Sequence, residues 1–235
     1  MINLRYPISI LLLLLNTLFA VTAEYKVTSM GLNVAAISMS VTESNIEVTT
    51  RTNPGSILFP KLDNKYMLKL GPDWLPVKYT RVIDQKNIHD TVTEDFSHST
   101  GLGYLNRTSN GTRVKFPLHT DTRDLFSFLA YISAGNFRKA DYHIDSNGSQ
   151  WLASVVPNKH EIIQTKLGKI KCTRLELNFT PLSPNKTAYV DMVTFNFVNK
   201  DTNTTLWIGN HGVPLRAVVD RKGKKMKWEI SKLNI

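Results

Sequence analysis

The sequence predicts a mainly β protein: a strongly curved antiparallel sheet or half-open barrel with one amphipathic helix at about residues 121–134. Three observations carry that reading. Turn signals recur at short intervals along the chain. The segments between them alternate apolar and polar residues at period two, the pattern of a strand with one buried and one wet face. One segment alone switches to the 3.6-residue period of a helix.

The chain opens on residues 1–23, which read as an export signal. Arg5 supplies a positive charge, Ile8 to about Val21 an apolar run containing Leu11 to Leu15, and Val21-Thr22-Ala23 a small-residue cleavage site before Glu24. A helix that stays in a bilayer needs about 20 apolar residues, and this run is shorter, so cleavage is expected rather than anchoring. Residues 24–235 then form a single β-rich domain of 212 residues (235 less 23), a length one all-β core can fill undivided.

Val34 to Val41 is the first clear strand, Thr42-Glu43-Ser44-Asn45 a turn, and Ile46, Val48 and Thr50 share one face of the next strand. Asn110-Gly111 and Asn147-Gly148 mark hairpins, because both central residues of a type I′ turn take positive φ. Tyr142 and Ile144 approach the second of these turns, and Trp151 and Leu152 leave it. Leu125, Phe128, Leu129 and Ile132 form the helical stripe, with Asp121 as the expected N-cap, Asp124 favourable in the first turn and Gly135 as the stop. Ala188 to Val198 reads as a long strand with Tyr189, Val193, Phe195 and Phe197 on one face. At the C-terminus Leu215, Ala217 and Val219, the turn Arg221-Lys222-Gly223-Lys224, and then Met226, Trp228 and Ile230 make a hairpin.

Three stretches also match a known pattern in order and spacing. They are Asp124-Leu125-Phe126-Ser127-Phe128-Leu129-Ala130-Tyr131, Glu161 to Gly168, and Trp207-Ile208-Gly209-Asn210-His211-Gly212-Val213-Pro214-Leu215 followed by Gly223 and Leu233. With Tyr25, Gly31 and Leu32 they resemble the bacterial exported family called domain of unknown function 3108, over nearly all of residues 24–235. The resemblance implies a curved antiparallel sheet similar in outline to the half-open barrels of periplasmic lipoprotein carriers, and no settled activity. This chain has Asn210 where the family pattern often has an aspartate, and Ile132-Ser133 where it often has an arginine, so a site built on those two charges is absent.

No catalytic motif emerges. There is no G-x-S-x-G elbow, no H-E-x-x-H helix, and Gly101-Leu102-Gly103 lacks a third glycine at the needed spacing. Ser183-Pro184-Asn185-Lys186 matches S-x-x-K only by letters, in a proline-flanked loop. Cys172, the one cysteine, excludes an internal disulfide and a lipidated residue after the cleavage site; in Lys171-Cys172-Thr173-Arg174 it reads as a small buried strand side chain. Trp207 before the Gly-Asn-His-Gly turn reads as a core anchor of its hairpin. Six N-x-S/T sequons, beginning at Asn106, Asn110, Asn147, Asn178, Asn185 and Asn203, reflect an Asn- and Thr-rich chain. Of the histidines His89, His98, His119, His143, His160 and His211, two form i, i+2 pairs, His119/Asp121 and His143/Asp145. A metal needs three or four convergent ligands, so these read as solvated surface groups and no metal ligand is assigned.

The net charge of +10 becomes +9 once Arg5 is removed, and Arg221, Lys222, Lys224, Lys225 and Lys227 concentrate it on one hairpin. In an exported protein that balance suits anionic lipid or polymer, not nucleic acid. The expectation is therefore a periplasmic, non-lipoprotein, non-catalytic module that binds a lipid, a lipidated protein or another apolar ligand, with no cofactor and no assigned ligand-binding residues. The alternatives are an envelope adaptor contacting another protein through a sheet edge or the basic hairpin, and a hydrolase assembled around His143 and Asp145.

Overall fold

Alternating burial runs through most strands of the computed structural model, which describes residues 20–56, 59–182 and 190–235. The first eight strands are β1 (Ala20–Ser29), β2 (Leu32–Thr42), β3 (Asn45–Thr52), β4 (Asp63–Leu70), β5 (Pro76–Gln85), β6 (Ile88–Ser97), β7 (Leu102–Arg107) and β8 (Arg113–Pro117). The remaining six are β9 (Ala140–Ser146), β10 (Ser149–Thr165), β11 (Gly168–Pro181), β12 (Thr202–Ile208), β13 (Pro214–Arg221) and β14 (Lys224–Asn234). Among the described residues two α-helices interrupt them, α1 (Leu125–Ser133) and α2 (Met192–Phe197), with a single 3-10 turn at Pro72–Trp74.

All 14 strands belong to one antiparallel sheet in the order β8-β7-β6-β5-β4-β3-β2-β1-β14-β13-β12-β11-β10-β9. Every strand pairs with its sequence neighbour and β14 returns to β1, so only a β8–β9 pair is missing from a closed ring. The fold is the strongly curved, unclosed sheet expected. In the gap, Arg123 forms a parallel bridge with Ile144, through Arg123 N to His143 O at 3.0 Å and Asp145 N to Arg123 O at 2.7 Å.

The crossover from β8 to β9 carries α1, and its residues are buried except for half-buried Tyr131. The expected amphipathic helix over 121–134 is thus shorter and has no wet face, because it sits inside the curve of the sheet. Asp124, not Asp121, is the N-cap: its carboxylate accepts from Phe126 N at 2.8 Å and Ser127 N at 3.3 Å. Gly135, at φ +94°, supplies the expected stop. Phe126 packs on Tyr66 of β4 and Tyr79 of β5 with ring centroids 4.9 and 6.5 Å apart, and Phe128 on Tyr142 of β9 at 5.5 Å.

Asn147-Gly148 adopts the expected left-handed pair, at φ 59° and 74°, as does Lys222-Gly223 at 53° and 80°. Asn110-Gly111 does not. Only Gly111 has positive φ, and Asn110 instead accepts from Thr112 N at 3.0 Å within a longer loop. The expected strand at 188–198 is corrected too. Residues 188 and 189 lie outside the described residues, and 192–197 form α2, capped by the Asp191 carboxylate on Thr194 N at 2.8 Å. The period-two apolar set contains the i, i+4 pair Val193 and Phe197, and both are buried in the helical arrangement. Ala20–Ala23, assigned to the leader by the sequence reading, begin β1 and pair with β2 and β14. Tyr25 and Val27 continue the same inward phase beyond Glu24.

Phe126→Ala removes the side chain that joins α1 to β4 and β5 in a buried environment. It is expected to cost about 3–5 kcal/mol, measured by denaturant unfolding. A loss below about 1 kcal/mol would mean that α1 does not hold the inner face together.

Candidate functional site

Alternation in β5 puts Arg81 in phase with Tyr79 and Ile83, and alternation in β6 puts Glu94 in phase with Val92 and Phe96, so both charges point inward. Arg81 is opposite Val92 and Glu94 opposite Tyr79, a diagonal cross-strand placement. Their ion pair is 2.5 Å long and fully buried. Arg81 also binds the Asn147 side-chain oxygen in the β9–β10 turn and lies 3.5 Å from Asp191 before α2. Asp191 in turn accepts from Tyr66 Oη at 3.0 Å. The β5–β6 hairpin and two segments distant in sequence therefore meet on one guanidinium.

Charge around this cluster is unbalanced: Arg81 stands among the buried carboxyl groups of Glu94, Asp124, Asp145 and Asp191, while the other buried arginine, Arg123, is taken up by the carbonyl oxygens of Asp121 and Asp73. Burial pushes Asp145 well above the ordinary carboxylate range, and the neighbouring Glu94 charge adds to it. Burial likewise raises Glu94 despite Arg81, and raises Asp124 despite its bonds from Ser127 and Phe126. The direction of these three shifts is the one expected where buried carboxyl groups crowd a single guanidinium, since each charge opposes the ionisation of the next. Burial alone would weaken the Arg81 charge, but Glu94 foremost keeps it cationic.

The opposite half of the interior is apolar. Under α2, the inner faces of β1–β3, β13 and β14 form a cleft lined by Val27, Ile37, Val219, Trp228 and neighbouring residues, with Met192, Val193 and Phe197 as its roof and Phe59 and Leu62 at its side. Thr50 is its sole polar lining residue. The cavity volume is about 20 Å³, room for about one water, so the roof is closed onto the floor. Polar contacts pin α2 at both ends: Met192 N donates to Gln85 Oε1 at 3.1 Å, and Arg221 donates to Asn196 Oδ1 at 2.8 Å while covering the Phe195 ring.

The residues singled out from sequence scatter. His143 and Asp145 have separate partners: His143 Nδ1 meets Asp121 Oδ1 at 2.9 Å near the surface, whereas Asp145 is buried and accepts from Gly148 N and Gln150. His119 Nδ1 meets the same Asp121 oxygen at 2.6 Å, and the two imidazole rings stack with centroids 3.7 Å apart. Partial burial pushes the Asp121 carboxyl up, but the bonds from both histidines outweigh it and hold it below its usual range. Cys172 is buried, with its thiol facing Glu161 O at 3.4 Å and pushed up by burial, which suits an inert side chain. Trp207 packs against the core only in part. It is half-buried, donates to Glu161 at 2.6 Å and lies near the Arg174 and Arg216 guanidiniums. On the basic hairpin, Lys222, Lys225 and Lys227 pair with Asp201, Asp220 and Glu229. Ser183-Pro184-Asn185-Lys186 lies outside the described residues.

A family model described as protein of unknown function (DUF3108) matches residues 24–226. The chain belongs to this family. Among solved structures, a β-barrel-like protein of domain of unknown function DUF1849 from Brucella abortus overlays with TM-score 0.60 at 11% identity, covering 93% of this chain and 98% of that one. At that identity the likeness shows the fold alone. A candidate lipoprotein from Parabacteroides distasonis reaches TM-score 0.38 at 12% identity, and a candidate exported protein with YmcC-like fold from Bacteroides fragilis 0.42 at 8%. Each of these two alignments covers 92% of this chain and 95% of the other, but neither overlay is close enough to carry an argument. No curated protein matches the chain.

Two outcomes test the buried charge cluster of this DUF3108 protein. Glu94→Ala leaves Arg81 short of its nearest carboxylate and should cost about 3–5 kcal/mol, read from denaturant unfolding. Asp145→Asn addresses the protonation. A raised carboxyl stabilises the folded state fully below its unfolded value and loses that contribution as pH rises through the folded value. The variant, neutral throughout, should therefore gain stability relative to wild type as pH is raised from about 4 towards 8, read from unfolding midpoints across that range. A constant difference would place the Asp145 proton elsewhere.

Proposed function

We propose that this protein is an exported, periplasmic, non-catalytic binding module whose ligand is an acyl chain or similarly apolar group, held in the cleft beneath α2. The observation that carries the reading is the lining itself: side chains from five strands, α2 and the β3–β4 loop converge on one apolar surface with a single hydroxyl. Its small closed volume means that ligand entry displaces α2. The helix has only six residues, and its grip on the sheet combines a few polar pins with Val193 and Phe197. The apolar run and small-residue end of residues 1–23 support export, and the position of the one cysteine, Cys172, buried in β11, argues against lipid attachment.

An adaptor role through a sheet edge has less support. Edge strand β8 carries Arg113, Lys115 and Pro117, residue types that discourage strand addition. Lys222, Lys225 and Lys227 of the basic hairpin each already face a carboxylate of this chain.

The test is native mass spectrometry with lipid extraction on protein purified gently from its own envelope, alongside Met192→Glu. Met192 is only partly buried, so the variant should fold while placing a charge in the roof. Wild type should carry about one apolar ligand per chain and the variant should lose it; in vitro, binding of a fluorescent fatty acid should fall at least tenfold and stop quenching Trp228. Apo wild-type protein that also fails to bind the fatty acid would end this reading.

A further inference from the structure

The sheet's open seam carries a cluster that the apolar-ligand reading does not use. His119 lies just beyond β8, Asp121 on the crossover, and His143 on β9, so the three side chains come from both lips of the gap. Their ligand atoms all lie within 4.8 Å of one another, in the one such grouping of potential metal ligands among the described residues.

We propose that His119, Asp121 and His143 bind a zinc-like divalent transition metal, which clasps the two edges of the sheet. The donor set selects the ion class. Two imidazoles and one carboxylate suit zinc, copper(II) or nickel(II), whereas magnesium and calcium favour all-oxygen sites. Three protein ligands leave a position for water, as in open zinc sites.

The backbone holds the ligands in place before any ion arrives. The Arg123–Ile144 bridge fixes the crossover to β9 between Asp121 and His143. A tight turn fixes the other side: Thr122 N donates to His119 O at 3.1 Å, and His119 N donates to Thr122 Oγ1 at 2.9 Å. Both Nδ1 atoms already converge on one Asp121 oxygen. The stacked rings must turn apart for their lone pairs to meet on one ion, and the His119 side chain, 56% exposed, has room to do so. Arg123, the nearby cation, is committed to the carbonyl oxygens of Asp121 and Asp73 and to the Tyr131 ring.

The experiment titrates tag-free, chelator-stripped full protein with Zn²⁺, Mg²⁺ and Ca²⁺ by calorimetry, using His119→Gln, Asp121→Asn and His143→Gln as variants. One equivalent of Zn²⁺ should bind, Mg²⁺ and Ca²⁺ should not compete, and each variant should weaken binding more than tenfold. Zinc should raise the unfolding midpoint of wild type and leave that of His119→Gln/His143→Gln unchanged. Electron paramagnetic resonance of Cu²⁺ on wild type reads the site without any variant and should count two imidazole nitrogens. No Zn²⁺ binding at millimolar metal, or equal binding by the double variant, or a copper signal lacking two imidazoles, overturns the proposal and leaves the cluster as an ion-paired latch between the edges.

Discussion

The single unmade pair between β8 and β9 governs this structure. An antiparallel ring whose neighbours in sequence are neighbours in space would close completely if those two strands met. The gap instead admits the crossover, and α1 enters with nearly every side chain buried. A helix apolar on all sides has no stable surface position, and the crossover through the seam places it in the interior. One short parallel bridge at Arg123 and Ile144 satisfies backbone groups that the two edges would otherwise expose.

Filling the interior with α1 divides it. On the side where β5 and β6 face the β9–β10 turn, the lumen is polar and built on Arg81. A buried ion pair is weak evidence for stability, because desolvation offsets much of its attraction. Its value here is positional. Arg81 can be satisfied only if β5, β6, the β9–β10 turn and the start of α2 all reach their places, so the cluster specifies how the two halves of the meander close on each other. On the other side, towards β1 and β14, the lumen is apolar and roofed by α2.

Asp191 links the two regions. Its carboxylate caps α2, accepts from Tyr66 and faces Arg81. The roof of the apolar cleft is thereby tied to the charge cluster, and displacing α2 disturbs buried electrostatics as well as hydrophobic contacts. Such coupling makes the closed state cooperative: the helix is too short to be stable alone and depends on both ends being held.

Much of the β architecture was legible in the chain, because strand alternation is a local property. The phases of Ile46, Val48 and Thr50, of the C-terminal hairpin, and of the Asn147-Gly148 turn follow from side-chain period and backbone sterics alone. Arg81 and Glu94 were legible in principle, as charges standing in the apolar phase of their strands, but an inward charge is recognisable only once its partners are known. Tertiary structure decided the rest. It turned a period-two run into α2, because a buried Asp191 could cap it; moved the cap of α1 from Asp121 to Asp124; and brought His119, Asp121 and His143 together across the seam. Each of those outcomes depends on contacts between segments far apart in the chain. Sequence spacing sets the face a residue occupies on its own element, whereas the approach of two edges is set by the curvature of the whole sheet.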